Sequence, residues 1–105
     1  MHESPLPPSG PGTVVLNLGA STGALILHTA ADQDGLEIEI SRAGVPGARR
    51  THSQVRERRT AASVRYAAVY PDLAAGDYTV WRDHHTPAGS VTITGGSVTN
   101  FHWPA

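Results

Sequence analysis

The chain of 105 residues contains no cysteine. Disulfides, thiolate nucleophiles and cysteine-ligated zinc or iron–sulfur centres are therefore excluded. Lysine is also absent, because all eight basic residues are arginine. Schiff-base chemistry and a phosphate-binding loop that depends on lysine are excluded in turn.

Long apolar runs are also absent. No run approaches the roughly 18 residues of a membrane-spanning helix, and the first residues lack the basic start and apolar centre of a secretory signal. The sequence therefore predicts no membrane segment and a cytoplasmic location. Only 16% of the residues are charged and the formal net charge is −1, so no general attraction to nucleic acid is expected. Arginine without lysine, together with abundant alanine and glycine, is typical of a GC-rich bacterial genome.

The length suits one domain with a single hydrophobic core. Residues 1–12 contain four prolines and two glycines with little apolar surface, so we expect a disordered tail there. Residues 13–105 are expected to form the single folded domain.

From Thr13 onwards, short runs rich in β-branched and aromatic residues alternate with clusters of Gly, Pro, Asp or Asn. In the clearest run Leu36, Ile38 and Ile40 alternate with polar residues, as in a strand with one buried face. A helix over residues 55–70 is an alternative for one stretch, although that stretch has no helical apolar stripe. Eight strands are predicted, at residues 13–18, 24–29, 36–41, 51–59, 62–70, 77–82, 88–94 and 97–103.

A more specific pattern follows the fifth run. Tyr70 ends a strand and is followed by Leu73, Gly76, Tyr78 and Val80 in the arrangement Leu-x-x-Gly-x-Tyr-x-Val, and then by a hairpin with a second glycine turn. We expect the leucine to cover the core from a loop, the glycine to form a tight turn, and the last two side chains to point inward.

Residues 64–102 thereby resemble the second half of prealbumin-like sandwiches, a group that includes transthyretin-like, carboxypeptidase-regulatory-like and Cna-B-like domains. The resemblance implies an all-β, mainly antiparallel sandwich of seven to eight strands, of the prealbumin or immunoglobulin-like kind. It brings no catalytic residues with it.

Histidines and carboxylates are expected to gather at one end of this sandwich, because consecutive antiparallel strands reverse direction and alternate loops share an end. Imidazole and carboxylate are ligands of zinc, copper or iron, so a divalent transition-metal site is one hypothesis. Solvated loop side chains are the alternative, since no HExxH or similar spacing is present. The candidate ligands are His28, His84, His85, His102, Asp32 and Asp83.

Five of the eight arginines lie within residues 49–59. As one strand, this segment places Arg50, Arg56 and Arg58 on a single polar face. Such a basic stripe is suited to binding phosphates or a carboxylate-rich partner by bidentate hydrogen bonds, so these three arginines are candidate partner-binding residues. The alternative is that their charges protect an edge strand from pairing with another chain.

The aromatic residues are no more numerous than a small core needs. Phe101 and Trp103 share one strand face and His102 takes the other, so we expect the aromatic pair to close the core. An exposed ring would instead suit sugar stacking in a carbohydrate-binding module.

No catalytic motif stands out, since the chain has no Gly-x-Ser-x-Gly turn and no glycine-rich loop that opens a helix. The leading hypothesis is a non-enzymatic binding module that contacts another protein, or a second copy of itself, through the basic strand or an exposed sheet face. A metal-binding protein is the second hypothesis, followed by a metal-dependent hydrolase and a carbohydrate-binding module. Nucleic acid and membrane partners are not expected.

Overall fold

The fold is built from eight strands and one short 3-10 turn within residues 20–104, the part of the chain that a computed structural model describes. The turn, at Ala31–Gln33, follows the first strand. The strands are β1 (Thr22–Thr29), β2 (Glu37–Arg42), β3 (Thr51–Gln54), β4 (Arg56–Arg59), β5 (Val64–Ala74), β6 (Gly76–Trp81), β7 (Pro87–Ile93) and β8 (Val98–His102).

The strands form two four-stranded sheets. Sheet I has the order β4-β5-β1-β8 and sheet II has the order β3-β2-β6-β7. Every pair is antiparallel except β1 with β8, which is parallel. The expected all-β, mainly antiparallel sandwich is confirmed. The strand predicted at residues 13–18 and the tail predicted at residues 1–12 lie outside the described residues.

One side of each sheet faces a shared core. On β2, Ile38 and Ile40 are buried, whereas Glu37 and Glu39 lie on the outer side, as their alternation predicted. Burial of each large apolar side chain contributes about 1.5–3 kcal/mol to folding. The largest fully buried side chains are Leu25, Leu27, Ile38, Ile40, Val55, Val80 and Ile93.

The chain crosses from one sheet to the other at Val55. β3 pairs with β2 in sheet II and β4 pairs with β5 in sheet I. Val55 is fully buried, and its N–H donates to the Leu36 carbonyl at 2.8 Å while its carbonyl accepts from Gly35 at 2.9 Å. The single strand predicted over residues 51–59 is therefore wrong, because the chain passes from sheet II to sheet I at the buried Val55. The helical alternative for residues 55–70 is also wrong.

Two side-chain hydrogen bonds link the sheets near this corner. The Ser53 hydroxyl on β3 donates to the Val69 carbonyl on β5 at 2.8 Å, and the buried Tyr70 hydroxyl donates to the Ile38 carbonyl on β2. Burial raises the pKa of the Tyr70 hydroxyl above its ordinary range, so this group stays a protonated donor. Hydrogen bonds in a water-poor interior help to set the position of one sheet on the other.

β5 continues through Pro71, where the sequence predicted a strand end and a loop. Leu73 lies in β5 opposite Gly23 of β1, and the pairing of the two strands is irregular beside this position. Such an irregularity accommodates a proline, which has no N–H to donate. The predicted loop is therefore wrong, but the predicted burial of Leu73, Tyr78 and Val80 is confirmed.

The turn from β5 into β6 requires glycine at position 76. Gly76 has a φ of +143°, and a Cβ there would lie 2.7 Å from Nη1 of Arg42. That nitrogen donates to the Ala75 carbonyl at 2.9 Å, and the same guanidinium lies over the Tyr78 ring at 5.3 Å from its centroid. Any side chain at this position would both strain the backbone and displace the arginine.

We expect Leu73→Ala to lower the free energy of unfolding by about 2–5 kcal/mol, because the change leaves a cavity in the core. Val64→Ala is the matched control, since Val64 is 43% exposed and Leu73 only 8%. Urea denaturation measures both variants. Equal losses in the two would contradict the placement of Leu73 in the core.

We expect Gly76→Ala to be more destabilising than Gly44→Ala by about 1–3 kcal/mol. Both glycines have a positive φ, but a Cβ at Gly44 would meet nothing within 4 Å, whereas one at Gly76 would push Arg42 from its hydrogen bond. The difference in thermal unfolding measures the displacement of the arginine together with the greater backbone strain at the φ of Gly76. Similar losses in the two variants would contradict the requirement for glycine at position 76.

Candidate functional site

The arginines of residues 49–59 are divided between the two outer faces of the sandwich. Alternate side chains of β3 and β4 point away from the core, but these strands belong to different sheets. Arg50 precedes β3 and lies against the outer side of sheet II, whereas Arg56 and Arg58 lie on the outer side of sheet I. The structure thus keeps two of the three candidate partner-binding arginines together and separates the third.

Arg50 is held by contacts within the protein. Its Cζ lies 3.8 Å from the centroid of the Trp81 ring, and Nη1 is 3.0 Å from Oε1 of Glu39. Nη2 donates to the His84 carbonyl at 3.0 Å, while the indole of Trp81 donates to Ser41 Oγ at 2.9 Å. Stacking and hydrogen bonds of this kind stabilise the outer side of sheet II.

Three arginines meet on the outer side of sheet I. Arg58 on β4 lies in register with Arg65 on β5, and Arg56 lies in register with Ala67. Because Ala68 belongs to the core, its neighbours in the alternation point outward. Two histidines of β1 and β8 lie on the same side. We call this set the cationic face, and its members are Arg56, Arg58, Arg65, His28 and His102.

The three arginines of the cationic face have no carboxylate partner among the described residues. Within residues 20–104 none of their guanidinium groups makes a hydrogen bond or lies within 4.0 Å of a carboxylate oxygen. Nε of Arg58 is buried without a hydrogen-bond partner in this part of the chain. Glu57 takes the opposite position in the alternation of β4 and accepts from Nε of Arg59 at 2.7 Å. The face therefore carries concentrated positive charge.

His28 and His102 stack on the cationic face. The parallel pairing of β1 and β8 places them side by side, with ring centroids 5.0 Å apart and planes inclined by 19°. Nε2 of His28 is 2.8 Å from Oδ1 of Asn100. An amide oxygen only accepts, so Nε2 of His28 donates this hydrogen bond. Arg56 and Ala67 continue the same row across the sheet.

The loop between β6 and β7 is organised by Asp83. Its Oδ1 accepts from the backbone N–H groups of His85 and Thr86, both at 2.8 Å. The hydrogen bond from the His85 backbone is the main reason that the pKa of the Asp83 carboxyl is lowered. His84 contacts sheet II instead, with Nδ1 at 3.6 Å from Oε1 of Glu39. The Asp83 carboxylate thus stabilises this loop through two backbone hydrogen bonds.

The candidate metal ligands separate into two histidine pairs. His28 and His102 form the stack, while the rings of His84 and His85 lie 6.4 Å apart and edge to face. Asp32 is exposed in the 3-10 turn and accepts a side-chain hydrogen bond of 3.3 Å from its neighbour in the sequence. No group of three or more His, Asp or Glu side chains that could hold a metal ion occurs within residues 20–104. The metal-site hypothesis stays a prediction.

The aromatic residues near the chain end pack as the alternation predicted. Phe101 and Trp103 are partly buried against the core, and His102 points to the other side. Arg82 lies over the Trp103 ring, with Cζ at 5.7 Å from its centroid. Trp81 is covered on one side by Arg50. These contacts favour a structural role for both tryptophans.

Sequence reasoning missed Arg65 and Asn100. Arg65 stands apart from the basic segment, and only the pairing of β4 with β5 places it opposite Arg58. The sequence did contain one indication: Tyr66 and Tyr70 face the core, and the two-residue period of a strand then places residue 65 on the outer side. The contact of Asn100 with a histidine depends on the parallel pairing of β1 and β8, for which no sequence signal was present.

Comparisons of the chain with protein-family models, with curated proteins and with solved structures gave no match. The prealbumin-like resemblance of residues 64–102 therefore stays a prediction. Within residues 20–104, no helix has the length and apolar character needed to cross a bilayer.

We expect Arg50→Ala to lower the free energy of unfolding by about 1 kcal/mol, because it removes the stack on Trp81 and the ion pair with Glu39. Arg49→Ala is the control, since Arg49 is exposed and makes no hydrogen bond or ion pair in the described chain. Urea denaturation followed by tryptophan fluorescence measures both. A neutral Arg50→Ala would contradict the stabilising role.

Proposed function

We propose that this protein is a non-enzymatic interaction module that binds an acidic segment of another protein through the cationic face. The observation that carries the proposal is the group of three neighbouring arginines without a carboxylate partner in the described chain. Arg50, which is engaged on sheet II, is not part of this surface.

The chemistry of guanidinium groups supports a carboxylate-rich partner. Guanidinium donors match the two oxygens of a carboxylate in bidentate hydrogen bonds, which are stronger than neutral ones. Arg56 and Arg65 are exposed and Arg58 is half-buried, so a partner has the most direct access to Arg56 and Arg65. Carboxylates brought by a partner would compensate charges that the described chain leaves uncompensated.

Protection of a sheet edge does not account for the whole cationic face. β4 is an edge strand of sheet I, so Arg56 and Arg58 are placed where charge discourages pairing with another chain. Arg65, in contrast, belongs to β5 and lies opposite Arg58, one residue beyond the last pair that β5 makes with β1. Arg65 does not lie on the β4 edge, so protection of that edge does not explain it, and this favours a binding role for the group.

A protein partner suits this surface better than a nucleic acid. Binding of single-stranded nucleic acid relies on aromatic side chains that stack on bases, but Tyr66 and Tyr70 of β5 pack against the core. The formal net charge of −1 also provides no general attraction to a phosphate backbone. Local positive charge on a nearly neutral protein is suited to a local acidic segment.

The proposal is tested with a fluorescein-labelled decaglutamate peptide, whose binding is followed by fluorescence anisotropy at low and high salt. We expect Arg56→Glu and Arg65→Glu each to weaken binding about fivefold or more, because each variant reverses a charge within the surface. Arg49→Glu changes the net charge equally but lies elsewhere, and we expect it to change binding less than about twofold. Thermal unfolding verifies that all variants fold.

Three outcomes would overturn the proposal. Equal weakening by Arg49→Glu would show that binding follows net charge and not the cationic face. Equal or tighter binding of a labelled DNA duplex would assign the surface to nucleic acid. Aggregation of an Arg56→Ala, Arg58→Ala variant with unchanged peptide binding would show that these arginines guard the β4 edge.

A further inference from the structure

The outer side of sheet I carries large apolar side chains beside the cationic face. On β1, Ile26 points outward, because its neighbours Leu25 and Leu27 are fully buried in the core. Ile26 pairs in register with Val69 of β5, which points outward next to the buried Tyr70. Both side chains are only half-buried, and within the described chain neither belongs to the core or packs against it.

A third aliphatic side chain extends this patch toward the edge of sheet I. Val98 of β8 is 42% exposed, and it lies two residues before Asn100, which is in register with Ile26. Side chains at such diagonal positions on neighbouring strands are roughly 7–8 Å apart. We call Ile26, Val69 and Val98 the apolar strip.

Outward aliphatic side chains are not a general feature of this sandwich. β2 and β6 are the central strands of sheet II, and their outward positions carry polar residues and a tryptophan that Arg50 covers on one side. These outward residues are Glu37, Glu39, Ser41, Asp77, Thr79 and Trp81. The central strands of one sheet thus face outward without isoleucine or valine, so the contiguous apolar strip on the other sheet indicates an interaction surface.

The apolar strip lies directly beside the cationic face. Along β5 the outward residues follow in the order Arg65, Ala67 and Val69. At about 3.3 Å per residue, the Cα atoms of Arg65 and Val69 are about 13 Å apart. β4 begins at Arg56, opposite Ala67, so the β4 ladder does not extend to Val69. A partner segment of about five extended residues would therefore span both surfaces.

Charge argues against two of the candidate occupants of the apolar strip. A second copy that docked through the same face would bring its own arginines close to Arg56 and Arg65, and like charges repel. Residues 1–19 of the chain contain a single acidic residue, Glu3, so they do not complement the cationic face. An acidic segment of another protein does complement it, and an aliphatic residue in that segment would remove the strip from water.

We propose that the apolar strip and the cationic face form one docking surface, which selects an extended acidic segment of another protein that carries an aliphatic residue about four positions from an acidic one. This inference rests on the proposed function of the cationic face. Contact of the aliphatic residue with Ile26 and Val69 adds affinity through apolar burial, whereas the arginines supply the attraction that salt screens. The two parts together distinguish such a segment from one that is merely acidic.

The test compares two fluorescein-labelled decapeptides of equal charge by fluorescence anisotropy. Each consists of glutamates except at its seventh and ninth positions, which are leucine in the leucine peptide and serine in the serine peptide. We expect the unaltered protein to bind the leucine peptide about fivefold more tightly, because partial burial of a leucine side chain accounts for a ratio of this size. The ratio should persist at high salt, although both peptides then bind more weakly.

Variants of the apolar strip decide whether it is the source of this preference. An Ile26→Thr, Val69→Thr variant should bind the serine peptide as the unaltered protein does and lose most of the preference for leucine. Threonine keeps the branched shape that suits a strand but places a hydroxyl in the strip. Val64→Thr is the matched control and should keep the preference, since Val64 is a 43% exposed valine of the same strand that points to the side opposite Arg65.

Calorimetry at several temperatures provides a second measurement. Removal of apolar surface from water makes the heat-capacity change of binding more negative. We expect a more negative value for the leucine peptide than for the serine peptide with the unaltered protein and with Val64→Thr. The two peptides should give nearly equal values with the Ile26→Thr, Val69→Thr variant.

The failures of the two proposals are distinguishable. If the unaltered protein binds both peptides equally, or if the Ile26→Thr, Val69→Thr variant keeps the preference, the role assigned to the apolar strip is wrong, while weakening of both peptides by Arg65→Glu would still support the cationic face. If Arg56→Glu and Arg65→Glu leave the binding of both peptides unchanged, the proposed function is wrong and the inference falls with it. Should the double variant fail to fold, Val69→Thr alone replaces it and should lose part of the preference.

Two further outcomes would assign the apolar strip to another occupant and overturn the proposal. We expect the protein without peptide to sediment as a monomer, and a dimer that the Ile26→Thr, Val69→Thr variant dissociates would assign the strip to a second copy. We also expect Leu16→Ser, Leu18→Ser to leave binding of the leucine peptide unchanged. Tighter binding by that variant would assign the strip to the N-terminal residues of the chain.

Discussion

Burial of Val55 at the crossing between the sheets is the constraint on which the rest of the sandwich depends. β3 and β4 have only four residues each, and the buried valine between them ties one to sheet II and the other to sheet I. Its backbone hydrogen bonds to Gly35 and Leu36 hold the corner in place. The hydrogen bonds of Ser53 and Tyr70 then join the sheets beside it, so the core is closed along this side.

The same crossing distributes the charges of the protein. Outward side chains before the corner face away from sheet II, where Arg50 is used in a stack with Trp81 and an ion pair with Glu39. Outward side chains after the corner face away from sheet I, where Arg56 joins Arg65 without a carboxylate in the described chain. One continuous basic segment thus stabilises one surface and places on the other surface cations that have no carboxylate partner among the described residues.

Strand positions were predictable because burial of alternate side chains leaves a local pattern, as at Ile38 and Ile40. The errors occurred at Val55 and Pro71, where a strand changes sheet or passes an irregularity without changing that pattern. The candidate site was only partly predictable for a related reason. The alternating direction of consecutive strands predicted that His28 and His102 lie at one end of the sandwich, and in the structure their rings stack.

Which side chains face the core and which face outward was determined by the sequence alone, because the two-residue period of a strand is a property of neighbouring residues. Which outward side chains meet was decided only by the tertiary structure. Arg65 lies opposite Arg58, and His28 beside Asn100, because β5 pairs with β4 and β1 pairs with β8 in one register. Strand order and register are set by packing of the whole core. Residues distant in the chain therefore become neighbours that no local sequence pattern predicts.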